Sequence, residues 1–192
     1  MAKADADPAS DVLLSQDVFL PFFGQRPSEK VSKELQQVVG EANRGGYRIK
    51  VAVIGDKNDL GGVGGLWRQP KKYASFLGQE LTLVYHQRLL VVMPNGFGFF
   101  WENHPTSIPA AARTLAGVRL EQGGDGLTLS AARGVVALAR TDGVHVAAPA
   151  EPGSRGGPSR ALIAAGGAVL LLVLVGGPLA FRVRRRRPTA RR

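Results

Sequence analysis

An uncharged apolar stretch near the carboxyl terminus is the feature that most constrains this chain. Residues 161–181 read ALIAAGGAVLLLVLVGGPLAF, which is 21 positions without a charged side chain. An α-helix rises about 1.5 Å per residue, so this stretch extends about 30 Å, the thickness of a bilayer's hydrocarbon core. A buried helix of a soluble protein normally shows one polar face, and this stretch shows none. The sequence therefore predicts a transmembrane helix over residues 161–181.

Arginines follow this stretch directly. Seven of the chain's 25 basic side chains lie between residues 182 and 192, whereas only Arg155 and Arg160 stand close before the stretch. The positive-inside rule therefore places the tail in the cytoplasm and residues 1–160 outside it. Arginine outnumbers lysine 18 to 7, which is typical of a GC-rich bacterial genome, so we expect a single-pass membrane protein of bacterial type. The rival topology is a tail anchor with a cytoplasmic domain, which requires the export of seven arginines. The arginines predicted to flank the membrane are Arg182, Arg184, Arg185, Arg186 and Arg187.

The strongly basic charge balance of the chain belongs to this tail. Residues 1–181 carry 18 basic against 15 acidic side chains, so the pI of about 10.7 does not indicate a nucleic-acid-binding domain. No nucleic acid partner is expected; the expected partners are the lipid bilayer and other membrane or envelope proteins. The chain has no cysteine, which excludes a disulfide framework, a zinc ribbon and a cysteine nucleophile.

Composition divides the rest of the chain into three parts. Residues 1–10 are expected to be disordered, and residues 11–141 are expected to form one extracytoplasmic domain. Residues 142–160 contain three prolines and four glycines, which is typical of a linker. An outward domain needs a signal peptide, and Met1–Asp7 has no apolar core. We therefore expect translation to begin further upstream, or this chain to be a processed form.

Alternating helix and strand patterns predict the architecture of the domain. A strand–helix–strand unit usually gives parallel neighbouring strands, and Asp11–Phe23 is a candidate for one further strand. We therefore predict an α/β fold, a single small mixed-sheet domain with a βαβ unit and flanking helices, followed by one C-terminal transmembrane helix. The predicted elements are a helix from Ser28 to Gly45–Gly46, a strand Tyr47–Ile54, a helix from Pro70, a strand Arg88–Met93, a hairpin at Asn95–Gly96 into Phe97–Trp101, and a helix Leu127–Arg140.

Part of this series resembles a TPM domain. The resemblance lies in the helix Ser28–Asn43, the strand Tyr47–Ile54, the segment YASFLG at 73–78 and the strand Arg88–Met93, and it covers roughly residues 11–101. TPM domains are similar in size and are often tethered outside the cytoplasm by a membrane helix. Members have been linked to divalent-cation binding, to phosphatase activity and to the maintenance of membrane complexes.

The loop after the first predicted buried strand holds the candidate metal ligands. Ligands of open α/β sheets usually bind at the carboxyl ends of the strands, and Asp56, Asn58 and Asp59 stand there. Their oxygen atoms suit a hard cation such as Ca²⁺ or Mg²⁺, although the spacing lacks the EF-hand order. The alternative is a solvated turn in which the aspartates cap backbone amides. Apart from such an ion, no cofactor is expected.

No catalytic residue is predicted. The glycines between residues 61 and 65 match neither a P-loop nor a dinucleotide-binding pattern, the three histidines lack metal spacing, and no serine stands in a nucleophile elbow. The aromatic ribbon Phe97–Trp101 is expected to pack in part and to expose the remainder to a partner or to lipid. We therefore expect a noncatalytic interaction module at the cell surface. The alternative, implied by the resemblance, is a divalent-metal-dependent phosphatase of TPM type that uses Asp56 and Asp59.

Overall fold

Four strands form one mixed sheet in the structure of this chain, a computed structural model that describes residues 7–149. In spatial order they are β1 (Val18–Phe19), β2 (Ile49–Val53), β3 (Arg88–Met93) and β4 (Gly96–Phe100). The first three are parallel, and β4 pairs antiparallel with β3 through a tight turn at Pro94 and Asn95. This arrangement confirms the predicted α/β class and the mixed sheet.

Helices cover both faces of this sheet, which is why the central strands are almost continuously apolar. Within residues 7–149 the helices are α1 (Pro8–Ser15), α2 (Glu29–Arg44), a 3₁₀ helix (Lys57–Leu66), α3 (Pro70–Leu81), α4 (Ser107–Ala116) and α5 (Gly123–Thr141). Helices α2, α4 and α5 share a core with one face of the sheet. Helices α1 and α3 and the 3₁₀ helix share a second core with the other face.

Side chains of the central strands alternate between these two cores, as the pleat requires. Val51 and Val53 of β2 and Leu90 of β3 face α2 and α5. Ala52 of β2 and Leu89 of β3 face α1 and α3. Both cores are built from residues between Ala9 and Val146, so residues 7–149 contain the apolar interior that a separately folding domain needs.

The first part of the domain differs from the sequence prediction. Helix α1 begins at Pro8, within the segment expected to be disordered, because the Asp7 side chain accepts a hydrogen bond from the Ala9 amide and proline suits the first helical position. The candidate strand in Asp11–Phe23 is confined to the two residues of β1. The helix therefore occupies residues 11–15 of this segment, and only two of its later residues form a strand.

Helix α4 was not predicted. Its first turn contains Pro109, which lacks an amide donor, and Thr106 before it makes no side-chain capping bond. Proline is tolerated in a first turn, where the amide would have no partner within the helix. Ala111 and Leu115 are nevertheless buried, so packing against α5 and β4 stabilises this helix.

Among residues 7–149, no helix is both long and apolar enough to cross a bilayer. The predicted transmembrane helix at residues 161–181 lies outside the described residues, and so do the basic tail at 182–192 and most of the predicted linker.

Candidate functional site

The carboxylate of Asp59 is the polar centre of the edge where the parallel strands end. The side chain is completely buried. Its Oδ1 accepts hydrogen bonds from the Phe22 and Phe23 amides, both at 2.9 Å. Its Oδ2 accepts from the Gly55 amide at 3.0 Å and from the Asp56 amide at 2.8 Å. One carboxylate therefore joins the segment after β1 to the segment after β2.

These four donors make burial of the carboxylate tolerable. A buried charge without partners is strongly destabilising, whereas hydrogen bonds from amides to an ionised acceptor are among the stronger ones in proteins. In a carboxylate, each oxygen offers about two acceptor sites. Each Asp59 oxygen accepts two amides, so the protein backbone occupies the acceptor sites of both oxygens.

Asp56 and Asn58 complete a capping arrangement around the same turn. Asp56 caps the 3₁₀ helix, and its Oδ1 accepts bonds from the amide and the side-chain Nδ2 of Asn58, both at 2.9 Å. In return, the Asp59 side chain accepts a hydrogen bond from the Asp56 amide, so the two aspartates form a reciprocal capping box. The three predicted metal ligands thus lie together and form hydrogen bonds with the backbone or with one another. This is the alternative arrangement given above, a turn in which the aspartates cap backbone amides. Within residues 7–149, no group of three or more His, Cys, Asp or Glu side chains is placed to hold a metal ion. A metal site at these residues stays a prediction.

The loop that Asp59 holds presents two phenylalanines to solvent. Phe22 and Phe23 are 46% and 49% exposed. The Phe22 ring meets the buried Phe19 ring edge to face, with centroids 5.2 Å apart. The Phe22 carbonyl accepts a hydrogen bond from Arg26 Nε at 2.8 Å. The backbone of both phenylalanines is therefore fixed although their side chains are half exposed, and the sequence analysis did not single them out.

A cleft of about 630 Å³ opens at the opposite edge, where the strands begin. It is formed by the ends of α1 and α2 and by the segments that enter β1, β2 and β3. Its lining residues are Leu14, Asp17, Asn43, Arg44, Arg48, Lys50, Val84 and Tyr85. These residues come from three stretches of the chain, 14–17, 43–50 and 84–85, so no local sequence signal brings them together.

An ion pair between the buried Lys50 and the half-exposed Asp17 lies at the base of this cleft. The Lys50 ammonium donates to the Gln16 carbonyl at 2.6 Å and lies 3.2 Å from Asp17 Oδ1. Asp17 also accepts a hydrogen bond from Asn43 Nδ2. Lys50 lies over the Tyr85 ring, and burial raises the pKa of the Tyr85 hydroxyl above its ordinary value. The charges of Lys50 and Asp17 are therefore engaged with each other.

Two arginines at the cleft mouth have no such partner. Arg44 and Arg48 are exposed, and within residues 7–149 neither guanidinium forms an ion pair or a hydrogen bond. Apolar side chains stand beside them: Leu14 is 55% exposed, Val84 62% and Leu83, its neighbour in the turn before β3, 91%. The amino edge therefore combines unpaired positive charge with exposed apolar surface.

Next to this cleft, the Arg88 side chain stacks on two aromatic rings. The Arg88 guanidinium lies between the rings of Tyr47 and Trp101, 4.2 Å and 3.8 Å from their centroids, and Nη2 bonds Asp142 Oδ2 at 2.6 Å. Trp101 stacks in turn on the His104 ring. The start of β3 is thereby linked to the end of β4 and to the segment after α5.

The aromatic ribbon Phe97–Trp101 does not offer the exposed patch that the sequence suggested. Phe99 is buried in one core, and Phe97, Phe100 and Trp101 are partly buried against the two cores. Among residues 7–149, the large apolar side chains that are exposed lie elsewhere, at the two edges of the sheet; they are Leu14, Phe22, Phe23, Leu83 and Val84.

No family model matches the chain, and no curated protein is similar to it. Among solved structures, it is similar to the N-terminal domain of the cg2496 protein from Corynebacterium glutamicum, determined by solution NMR. The two share 15% identity at a TM-score of 0.43, over 63% of this chain and 78% of that one.

Proposed function

We propose that this chain is a single-pass membrane protein whose α/β domain is a noncatalytic interaction module outside the cytoplasm. The membrane segment and its orientation rest on the apolar stretch at 161–181 and the arginines after it. The role as an interaction module is inferred from the loop of Phe22 and Phe23. The observation that carries it is the buried Asp59 carboxylate, which fixes the backbone of two exposed aromatic residues.

Two fixed, half-exposed phenylalanines suit recognition of another protein. Aromatic residues are enriched at protein interfaces and supply much of the buried area there. A loop that is already ordered loses little conformational entropy on binding, so more of the contact energy remains as affinity. We therefore place the contact with a membrane or envelope protein at the Phe22–Phe23 loop.

The metal-dependent phosphatase draws no support from the same geometry. A cation at Asp59 would have to compete with four backbone amides for the two carboxylate oxygens. Losing those bonds would leave four part-buried amides without their acceptor, which is costly. The carboxylates at this edge are explained by the local backbone that they hold in place.

Site-specific photocrosslinking in cells that express the full chain tests the module. A benzophenone amino acid at position 22 or 23 should give a discrete adduct, whereas the same probe at Gln79, exposed on α3, should give none. With the probe at 23, the variant Phe22→Ala should lower the yield about tenfold, because aromatic anchors carry a large share of interface energy.

Two results would contradict the module. One is equal adducts from positions 22, 23 and 79, which would mean that the loop is not a specific contact. The other is Mg²⁺-dependent aryl-phosphate turnover by the purified chain that disappears in Asp56→Ala and Asp59→Ala, which would support the phosphatase instead.

A further inference from the structure

We infer that the amino edge of the sheet is a face that docks on an anionic lipid surface. In this arrangement Leu83 and Val84 enter the headgroup region, Leu14 packs beside them, and Arg44 and Arg48 contact lipid phosphates. The face is distinct from the Phe22–Phe23 loop, which lies at the opposite edge. The inference goes beyond the proposed function and draws on it only for the nearness of a membrane.

Apolar exposure is concentrated here. Leu14 and Val84 line the mouth of the cleft, and Leu83 stands in the same turn as Val84 without lining the cleft. Leu83 is almost fully exposed, so it projects from the domain and is not part of a groove wall. A projecting apolar side chain gains little from a peptide bound in the cleft, whereas it can enter a soft bilayer surface.

The charges beside these residues complement anionic headgroups. Asp17, the acidic residue that lines the cleft, is engaged by Lys50 and by Asn43. The guanidinium groups of Arg44 and Arg48 have no partner within residues 7–149. Arginine suits phosphate because its planar fork can donate two parallel hydrogen bonds to it. Basic residues next to exposed leucine or valine are the combination that binds anionic membranes peripherally.

The chain leaves the described domain beside this face. After α5, Asp142 pairs with Arg88, and Val144 packs so close to α2 that a Cβ at Gly45 would lie 2.7 Å from it. The Ala147 amide then donates to Glu41 on the last turns of α2, the helix that ends at Arg44. The segment after α5 therefore follows the end of α2 that borders the cleft.

The sequence then allows only a short distance to the predicted membrane. Pro149 is the last described residue, and the predicted transmembrane segment begins twelve residues later, at Ala161. Twelve residues in a fully extended chain reach at most about 40 Å. If residues 161–181 span the bilayer, a lipid surface lies within reach of the edge that carries Arg44 and Leu83.

Vesicle binding by a fragment of residues 7–149 tests this face. The fragment contains both cores and lacks the predicted transmembrane segment, so binding reports the face alone. We expect it to bind vesicles of equal phosphatidylcholine and phosphatidylglycerol at least about tenfold more tightly than pure phosphatidylcholine vesicles, and to release them as salt rises. Arg44→Gln with Arg48→Gln, and separately Leu83→Ser with Val84→Ser, should each lower the affinity about tenfold.

Matched controls carry the same changes elsewhere. Lys71→Gln with Lys72→Gln removes two exposed positive charges at the start of α3, and Phe22→Ser with Phe23→Ser removes the apolar pair at the other edge. Neither pair should change vesicle binding, and circular dichroism should show all four variants folded.

Three outcomes would overturn the inference. The fragment could bind neutral and anionic vesicles equally, or the control variants could lose as much vesicle affinity as the test variants. The third outcome is binding to polyglutamate that depends on Arg44 and Arg48 but not on Leu83 and Val84. The last outcome would assign the face to an acidic polypeptide. A fragment that does not bind anionic vesicles would also overturn the inference but would leave the proposed function standing, because the fragment does not report on topology. A reversed topology in cells would contradict the proposed function without changing the vesicle result.

Discussion

Two aspartates of this domain are buried and are satisfied in different ways. Asp59 accepts four backbone amides, whereas Asp7 accepts the Tyr73 hydroxyl at 2.7 Å and 2.8 Å and the Ala9 amide. The sequence showed Asp59 in a turn but could not show its bonds to Phe22 and Phe23, which lie 37 and 36 residues earlier. A contact at that separation depends on the sheet bringing two strand ends together, and nothing in the local sequence encodes it.

Asp7 predicts a pH dependence of stability. Burial raises the pKa of its carboxyl from 3.8 to about 6, and the hydrogen bond from Tyr73 opposes only part of that rise. Between about pH 4 and pH 6 the folded state keeps a proton that the unfolded state releases, so stability falls as pH rises through this window and levels off above it. A shift of about two units corresponds to roughly 3 kcal/mol.

The variant Asp7→Asn should remove this contribution while keeping an N-cap acceptor and an acceptor for Tyr73. Urea unfolding at pH 4 and pH 7 should then show a smaller loss of stability toward pH 7 than in the parent chain. Glu29→Gln, at an exposed position on α2 and outside the charged groups that act on Asp7, is the control and should leave the difference unchanged. An unaltered pH difference in Asp7→Asn would contradict the assignment.

Hydrophobic periodicity predicted most of the elements that build the sheet and the helices on it. Helix α2, the strands β2 to β4 and helix α3 were predicted because their patterns are long and their ends carry proline, glycine or a capping residue. Helix α5 begins four residues before the predicted Leu127, at Gly123. Its first turn is rich in glycine, which disfavours a helix locally, but a Cβ at Gly124 would lie 2.3 Å from the Gln25 carbonyl oxygen. Tertiary packing requires glycine there.

The contact of α3 with β4 predicts a sharply position-dependent effect of glycine replacement. A Cβ at Gly98 would lie 1.9 Å from the Pro70 carbonyl oxygen, which belongs to backbone and has no rotamer by which to move away. Gly98→Ala should therefore lower the free energy of unfolding by about 3 kcal/mol, the upper range for overpacking. Gly65→Ala has open space around it and should change stability by less than about 1 kcal/mol. Urea denaturation compares the two, and equal effects would contradict the packing described here.

At the scale of the whole domain, the two edges of the sheet carry different surfaces. The Phe22–Phe23 loop lies where the parallel strands end, whereas Arg44, Leu83 and the exit of the chain after α5 lie where they begin. A domain held to a membrane at one edge would present the other edge to a partner. The sequence predicted the anchor and the α/β class, but both surfaces are assembled from distant segments and became visible only in the fold.

The proposed topology, a domain outside the cytoplasm on a membrane anchor, can be tested with single cysteines, because the chain has none of its own. Lys72→Cys is at an exposed position on α3, and Thr189→Cys lies in the basic tail. With a membrane-impermeant maleimide, we expect Lys72→Cys to be labelled on intact cells and Thr189→Cys to be labelled only after permeabilisation. Labelling of Thr189→Cys on intact cells, with Lys72→Cys protected until permeabilisation, would contradict the proposed topology.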